Sequence, residues 1–256
     1  MIKLIACDID GTLLHGGARE IDPVIFREIR RLREKGILFC PASGRQYTSL
    51  RRLFAPVADE LLYLCENGAL LFGPGAPGSL LAKTAIEPDL AGALWEEIRR
   101  RSDCEVLASG EDMSYVCPAD GGRVGPAVRT IGNHCTEVDR WEDIPEDVVK
   151  LSAYCIPAAQ PVAEEMAPRW KDRFSVAVAG EQWVDFTVAD KGTGVRLLCR
   201  TLGVELSEVM AFGDNYNDIP MLTAVGVPYL MENAAEALKA RFPRRCRRVE
   251  EVLAVL

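Results

Sequence analysis

At 256 residues, with 48% apolar residues and a formal net charge of −8, the chain has enough material for one large domain or two modest ones around a proper core. The acidic balance argues against broad nucleic-acid binding, which needs a basic face, and no stretch approaches the roughly 18 to 20 uncharged apolar residues of a membrane span. The nine cysteines are scattered singly with no C-x-x-C pair, so they read as small reduced core residues rather than as bridges or a metal site.

The N-terminus runs into a strand without the succession of a signal peptide, and a cytoplasmic location is expected. Ile2, Leu4, Ile5, Ala6 and Cys7 form a short, nearly continuous apolar run, the pattern of a strand buried on both faces of a parallel sheet. It ends in Asp8 and Asp10, which an extended backbone would aim to the same side. Two such charges about 4 Å apart repel by roughly 4 kcal/mol at an effective dielectric of about 20. A shared proton, a cation or a turn that splays them into water must relieve that.

A helix is expected from about Pro23 to Lys35, with Asp22 at its N-cap, apolar residues at Ile25, Ile29 and Leu32, and Gly36 beyond its end. ILFCPASGR then reads as a second buried strand leading into a turn, QYTSLRRLF as a helix and ELLYLCENG as a third strand. This alternation implies βαβ units and a parallel sheet covered on both faces.

The alternation breaks after Gly68. ALLFGPGAPGSLLAKTAI reads as a hairpin. From Glu87 to Trp183, helices near Asp89–Arg101 and Gln160–Trp170 mix with the short strands EVLAS, SYVC, VVKLSAYC and FSVAVA. Simple alternation resumes at Lys191, with a helix, the strand EVMAFGD, a helix from about Asp218, the strand GVPYL and a final helix. The expected fold class is α/β: a Rossmann-like parallel-sheet core from residues 1–86 and 184–256, interrupted by an α+β cap at 87–183. The basic runs at Arg99–Arg101 and Arg241–Arg248 read as solvated segments.

In open α/β sheets ligands bind outside the carboxyl ends of the strands. Four such ends carry unusual chemistry: CDIDGT, ASGR, CENG and FGDNYND; Lys191 opens a helix directly after the insertion. Each motif alone reads as an ordinary turn, except that Asp8 with Asp10 at the end of an apolar strand needs a compensating partner. Together they fit phosphoryl transfer with Mg²⁺, which takes oxygen ligands that Asp8, Asp214 and a carbonyl near Asp10 can supply. Ser43, the Gly44 amide at an expected helix start, Lys191 and Asn217 supply donors for a phosphate. His15 and His134, the chain's two histidines, lie in no recognisable activating arrangement for a serine or cysteine nucleophile.

In DIDGTLL, ASGR, DKG and GDNYNDIPML, taken in that order along the chain, the sequence resembles the haloacid dehalogenase (HAD) superfamily, specifically the Cof-type class IIB phosphatases. The resemblance implies Asp8 as nucleophile through an aspartyl-phosphate, and Asp10 as acid and base. It implies Mg²⁺ held by Asp8, the main-chain carbonyl of Asp10 and Asp214, with Asp218 outside the ligand set orienting a water on the metal. Ser43, Gly44, Lys191 and Asn217 would grip the phosphate, with Asn67 bordering the site. MENAAEALK departs from the family segment it resembles, carrying Glu232 where Gly is usual, which bears on loop packing beside the fourth motif. The implied function is a phosphatase for a small phosphorylated metabolite, a sugar phosphate or a compound such as pyridoxal phosphate, whose cap acts as a lid and recognises the leaving group. The alternatives are a phosphomutase of the phosphomannomutase type and a non-catalytic metabolite- or metal-binding regulator.

Overall fold

The structure, a computed structural model, describes residues 1–119 and 122–256. The chain falls into two compact units: Met1–Gly44, Leu50–Ala82 and Asp190–Leu256 form the first, and Arg45–Ser49 with Lys83–Ala189 the second.

The first unit opens with β1 (Leu4–Cys7), α1 (Pro23–Glu34), β2 (Leu38–Pro41), α2 (Tyr47–Leu53, which runs over the boundary), β3 (Tyr63–Cys65), β4 (Leu70–Gly75) and β5 (Gly78–Lys83). Every side chain of β1 is buried, as the uninterrupted apolar run requires. Asp22 caps α1 by accepting the Val24 amide at 2.9 Å, Pro23 follows it, and Ile25, Ile29 and Leu32 face inward.

The chain then builds the second unit with α3 (Pro88–Arg99), β6 (Cys104–Ser109), β7 (Ser114–Cys117), α4 (Val124–Thr130), β8 (Cys135–Glu137), β9 (Lys150–Cys155), α5 (Ala159–Trp170), β10 (Ser175–Ala179) and β11 (Trp183–Thr187). It returns to the first unit through α6 (Lys191–Leu202), β12 (Val209–Gly213), α7 (Ile219–Ala224), β13 (Val227–Met231), α8 (Glu236–Lys239), β14 (Arg245–Cys246) and α9 (Val249–Leu253).

In the first unit the main sheet is parallel, in the order β14-β13-β12-β1-β2. The register sets Cys7 beside Phe212, so the carboxyl ends of the first and the late strand are neighbours although they are more than two hundred residues apart in sequence. The third expected strand, β3, pairs antiparallel with β4 in a smaller sheet that includes the hairpin partner β5, and it meets the segment after β2 through a parallel bridge between Ala42 and Leu64. Leu4, Ala6, Leu64, Val195, Ala211 and Met221 belong to one apolar core.

The second unit is a largely antiparallel sheet, β10-β11-β9-β6-β7-β8, with α3 and α5 contributing Trp95, Ile98, Val162 and Met166 to the core on one side of it. The boundary expected at 183/184 falls inside β11, whose residues pair with β9 on one side and β10 on the other. At the other end Ile86 packs into this core.

Two local expectations change. Arg101 is not simply solvated, because it bonds Asp103 and Glu165, at 2.9 Å each. Within the Arg-rich segment near the C-terminus, Arg245 and Cys246 form the edge strand β14, with Cys246 buried. All nine cysteines are free thiols. Among the described residues no helix is long and apolar enough to cross a membrane.

Candidate active site

The ladder between β1 and β12 continues one residue past the strand, where the Asp8 amide donates to the Phe212 carbonyl at 3.0 Å. The chain then turns: the amides of Leu13 and Leu14 both return to the Ile9 carbonyl, at 2.9 and 2.8 Å, and Gly11 takes φ +90°. That conformation favours glycine, and a Cβ at position 11 would also strike the Asp214 carboxylate. Gly11 therefore lets the two loops close on each other.

The two aspartates of the first motif differ in burial. Asp8 is buried, at 6% exposure, whereas Asp10 is exposed. The carboxylates that crowd together are Asp8, Asp214 and Asp218, each offering an oxygen within 4.8 Å of the others, and Asp10 stands outside this cluster. Like-charge repulsion thus also arises at a contact between strands.

Lys191 answers part of it. Its ammonium donates to Asp8 Oδ1 at 2.5 Å and to Asp218 Oδ1 at 2.6 Å, and the side chain is only 1% exposed. A lysine in the first turn of a helix opposes the helix dipole, so its position must be fixed by other means. Asp190 caps α6 in a reciprocal box, accepting the Thr193 amide at 2.7 Å while Thr193 Oγ1 accepts the Asp190 amide at 2.9 Å. A Cβ on Gly192 would come within 2.5 Å of the Pro220 carbonyl carbon, so glycine there lets α6 approach the start of α7.

Asp218 has both oxygens occupied. Oδ1 accepts from Lys191, and Oδ2 accepts the amides of Asp214 and Asn215, both at 3.0 Å. It therefore holds the loop that carries Asp214 as well as the lysine. Asp214 in turn accepts from Thr12 Oγ1 at 3.4 Å and from Asn233 Nδ2 at 3.2 Å, while the same Asn233 amide nitrogen bonds the Gly11 carbonyl at 2.9 Å.

Charge in this pocket is unbalanced. Burial lifts the Asp8 carboxyl to about 7, with Lys191 pulling it down and Asp218 pushing it up. Burial and then Asp218 raise Asp214 as well. Burial would lower Lys191, but Asp218 and Asp8 together outweigh it and hold the ammonium firmly charged. Ionised together, three carboxylates beside one ammonium carry an excess of negative charge, so the all-oxygen cluster fits a hard divalent cation in both donor type and charge.

The remaining expected residues lie on loops of the same unit. Ser43 is buried just past β2, its amide donating to the Leu64 carbonyl at 2.9 Å and its carbonyl accepting the Asn67 amide at 3.0 Å. Gly44 lies against the Asn67 side chain, where a Cβ would be 3.1 Å from its Oδ1. Gly44 is not at a helix start, however: α2 begins at Tyr47, three residues later. Asn217 is exposed on the short 3₁₀ turn Tyr216–Asp218.

Thr12 and Asn233 were not singled out in the sequence as functional. Thr12 lies inside DIDGTLL, and Asn233 inside the MENAAEALK segment. Glu232 itself points away from the cluster's chemistry. It is exposed, its amide donates to the Cys246 carbonyl at 3.0 Å and its carboxylate pairs with Arg247 at 3.1 Å.

The sequence profile of the haloacid dehalogenase-like hydrolases matches residues 5–251. The 5-amino-6-(5-phospho-D-ribitylamino)uracil phosphatase YbjI of Escherichia coli is 28% identical over 246 residues, 93% of this chain and 88% of that protein. A crystal structure from Eubacterium rectale superposes with a TM-score of 0.88 at 30% identity, covering 99% of this chain and 98% of that one. A HAD subclass IIB sugar phosphatase has the same fold, with a TM-score of 0.80 at 21% identity over 99% and 98% of the two chains. With its strand-end motifs in place on this architecture, the chain belongs to the haloacid dehalogenase-like hydrolase family and is a phosphoric monoester hydrolase.

Proposed function

We propose that the protein is a Mg²⁺-dependent phosphatase that hydrolyses a small phosphorylated metabolite through an aspartyl-phosphate on Asp8. The observation that carries this reading is the meeting of Asp8, Asp214 and Asp218 around Lys191 at the carboxyl ends of β1 and β12. Asp8, Asp214 and the Asp10 carbonyl would hold the cation, which when bound offsets the negative charge of the carboxylates and of the incoming phosphate.

The chain's own residues then divide the work. Lys191 and Asp218 fix the Asp8 carboxylate in orientation, one oxygen bonded to the ammonium, and the other oxygen attacks phosphorus. As the Asp8 O–P bond forms and the ester P–O bond breaks, Asp10 gives its proton to the leaving oxygen. In the second half a water attacks the same phosphorus, its proton returns to Asp10, and the Asp8–phosphorus bond breaks to release phosphate. Asp10 suits this role because, unlike Asp8, it is exposed and can exchange protons with solvent. Ser43, the Gly44 amide, Lys191 and Asn217 bind the phosphoryl oxygens.

A ribityl phosphate is what YbjI's name assigns to it, and the reading for this chain is a phosphate monoester of similar size. The test is phosphate release from a panel of about a hundred phosphorylated metabolites with Mg²⁺, followed by borohydride trapping of the acyl-phosphate. Asp10→Ala should slow turnover and accumulate label on Asp8. Full turnover in Asp10→Ala, or label on another residue, overturns the assignment.

A further inference from the structure

The second unit sets two thiols face to face. Cys104 opens β6 and Cys155 closes β9, and the two are direct partners in the antiparallel ladder. The amide of Ile156, one residue past Cys155, donates at 2.8 Å to the carbonyl of Asp103, one residue before Cys104. The Cys155 amide turns the other way, to Gln182, at 2.7 Å. Cys104 and Cys155 therefore occupy a non-hydrogen-bonded position, where partner Cα atoms stand about 4.5 Å apart and side chains come closest.

Their sulfurs are 3.7 Å apart. A disulfide accepts Cα separations of about 4.4 to 6.8 Å, so this register needs only side-chain rotation to bring the sulfurs into bonding distance. The two differ in access: Cys104 is 6% exposed and Cys155 fully buried. Beside Cys104, the Asp103 carboxylate lies 3.6 Å from its sulfur and is held by Arg101.

We propose that Cys104 and Cys155 are a peroxide-responsive modification site that closes reversibly to a disulfide across β6 and β9. The Cys104 sulfur attacks one peroxide oxygen; the S–O bond forms, the O–O bond breaks, and the departing oxygen takes the thiol proton and leaves as water. The Cys155 sulfur then attacks the sulfenic sulfur. The S–S bond forms, the S–O bond breaks, and a second water leaves with the Cys155 proton. Two thiols are oxidised by one peroxide, which is reduced to two waters. A dithiol reductant reverses the change by exchange, returning two S–H groups and becoming a disulfide itself. Cys117 and Cys135, in the same unit and more exposed, serve as internal references for oxidation by access alone.

The experiment exposes the full chain to hydrogen peroxide, blocks remaining thiols with iodoacetamide and maps peptides by mass. The expected result is a linked peptide pair containing Cys104 and Cys155, both thiols returning after dithiothreitol, and a sulfenic acid on Cys104 trapped by dimedone in Cys155→Ser. Sulfinic or sulfonic acid at either position without the cross-link overturns the proposal, as does a pair that stays reduced while Cys117 and Cys135 are oxidised. If Cys155→Ser does not fold, the wild-type peptide map decides alone.

Discussion

The two units handle buried polarity in different ways. In the first, β1 and β12 are buried residue for residue, and the titratable groups wait just beyond their ends. In the second, polar groups sit within the strands: Lys150 and Ser152 alternate with Leu151 and Ala153 along β9, and Ser152 donates to Asp185 on β11 at 2.6 Å. Each unit also has a buried carboxylate that collects backbone amides. Asp218 takes those of Asp214 and Asn215, and Glu105 takes those of Arg123 at 3.0 Å and Val124 at 2.8 Å. The difference lies in the remaining capacity. Glu105 spends both oxygens on amides, but Asp218 turns one toward Lys191, and through it toward Asp8. A buried carboxylate points to chemistry when its partners are other charges, and to architecture when they are amides.

That contrast is broken most forcefully at Asp8. Asp8→Asn keeps the shape but removes the proposed nucleophile, and turnover should fall by about three orders of magnitude or more. Glu105→Gln should leave turnover per folded molecule unchanged. Comparable losses in the two variants, measured as phosphate release against active fold by circular dichroism, would mean that the first unit does not hold the reacting group.

Lys191→Met tests how the cluster is balanced. It leaves Asp8 and Asp218 facing each other without their ammonium, and losing one partner of a buried pair costs about 3 to 5 kcal/mol. Mg²⁺ at about a hundred times its dissociation constant should restore about 2.7 kcal/mol of that. Chemical denaturation with and without Mg²⁺ reads both numbers. A stability loss that Mg²⁺ does not touch would show that the folded variant binds no Mg²⁺.

How much of this could be read from the sequence follows from the range of each interaction. The apolar run of β1, the caps of α1 and the motif order are local, so the parallel core and the aspartates at its strand ends were legible. The crowding was legible only in part: period-two reasoning pairs Asp8 with Asp10, but nothing local announces that a partner strand brings Asp214 and Asp218 to Asp8 as well. The helix start at Gly44 failed for a similar reason, because a bend at Gly44 and Arg45 precedes α2 and no residue there advertises its length. In the second unit, α4 and β8 were missed. Their packing depends on partners far along the chain, such as Glu105 beneath the start of α4, and no short periodicity records that.

Asp218 and Glu105 sharpen the comparison at smaller effect. Asp218→Asn disturbs the loop holding Asp214 and the bond to Lys191, and supports of this kind typically cost 10- to 100-fold, roughly, in metal affinity or activity. Glu105→Gln puts an amide donor against backbone donors and should cost about 1 to 3 kcal/mol of stability. Mg²⁺ titration of activity separates the two outcomes: a shifted Mg²⁺ requirement for Asp218→Asn, and a lowered melting temperature with an unshifted requirement for Glu105→Gln.

The smallest effect expected is at Asn233, and it tests whether the overlooked loop belongs to the site. Its side-chain nitrogen spans the Gly11 carbonyl and Asp214 Oδ2, tying the turn after β1 to the loop after β12 from an exposed position. An exposed hydrogen bond is worth about 0.5 to 1.5 kcal/mol. Because one bonded group is the proposed ligand Asp214 and the other adjoins Asp10, Asn233→Ala should weaken Mg²⁺ activation by about two- to tenfold, with turnover at saturating Mg²⁺ nearly intact. A fall in saturated turnover with no change in the Mg²⁺ requirement would place Asn233 on the phosphate rather than behind Asp214, because a residue that only steadies a metal ligand is compensated when the metal is in excess.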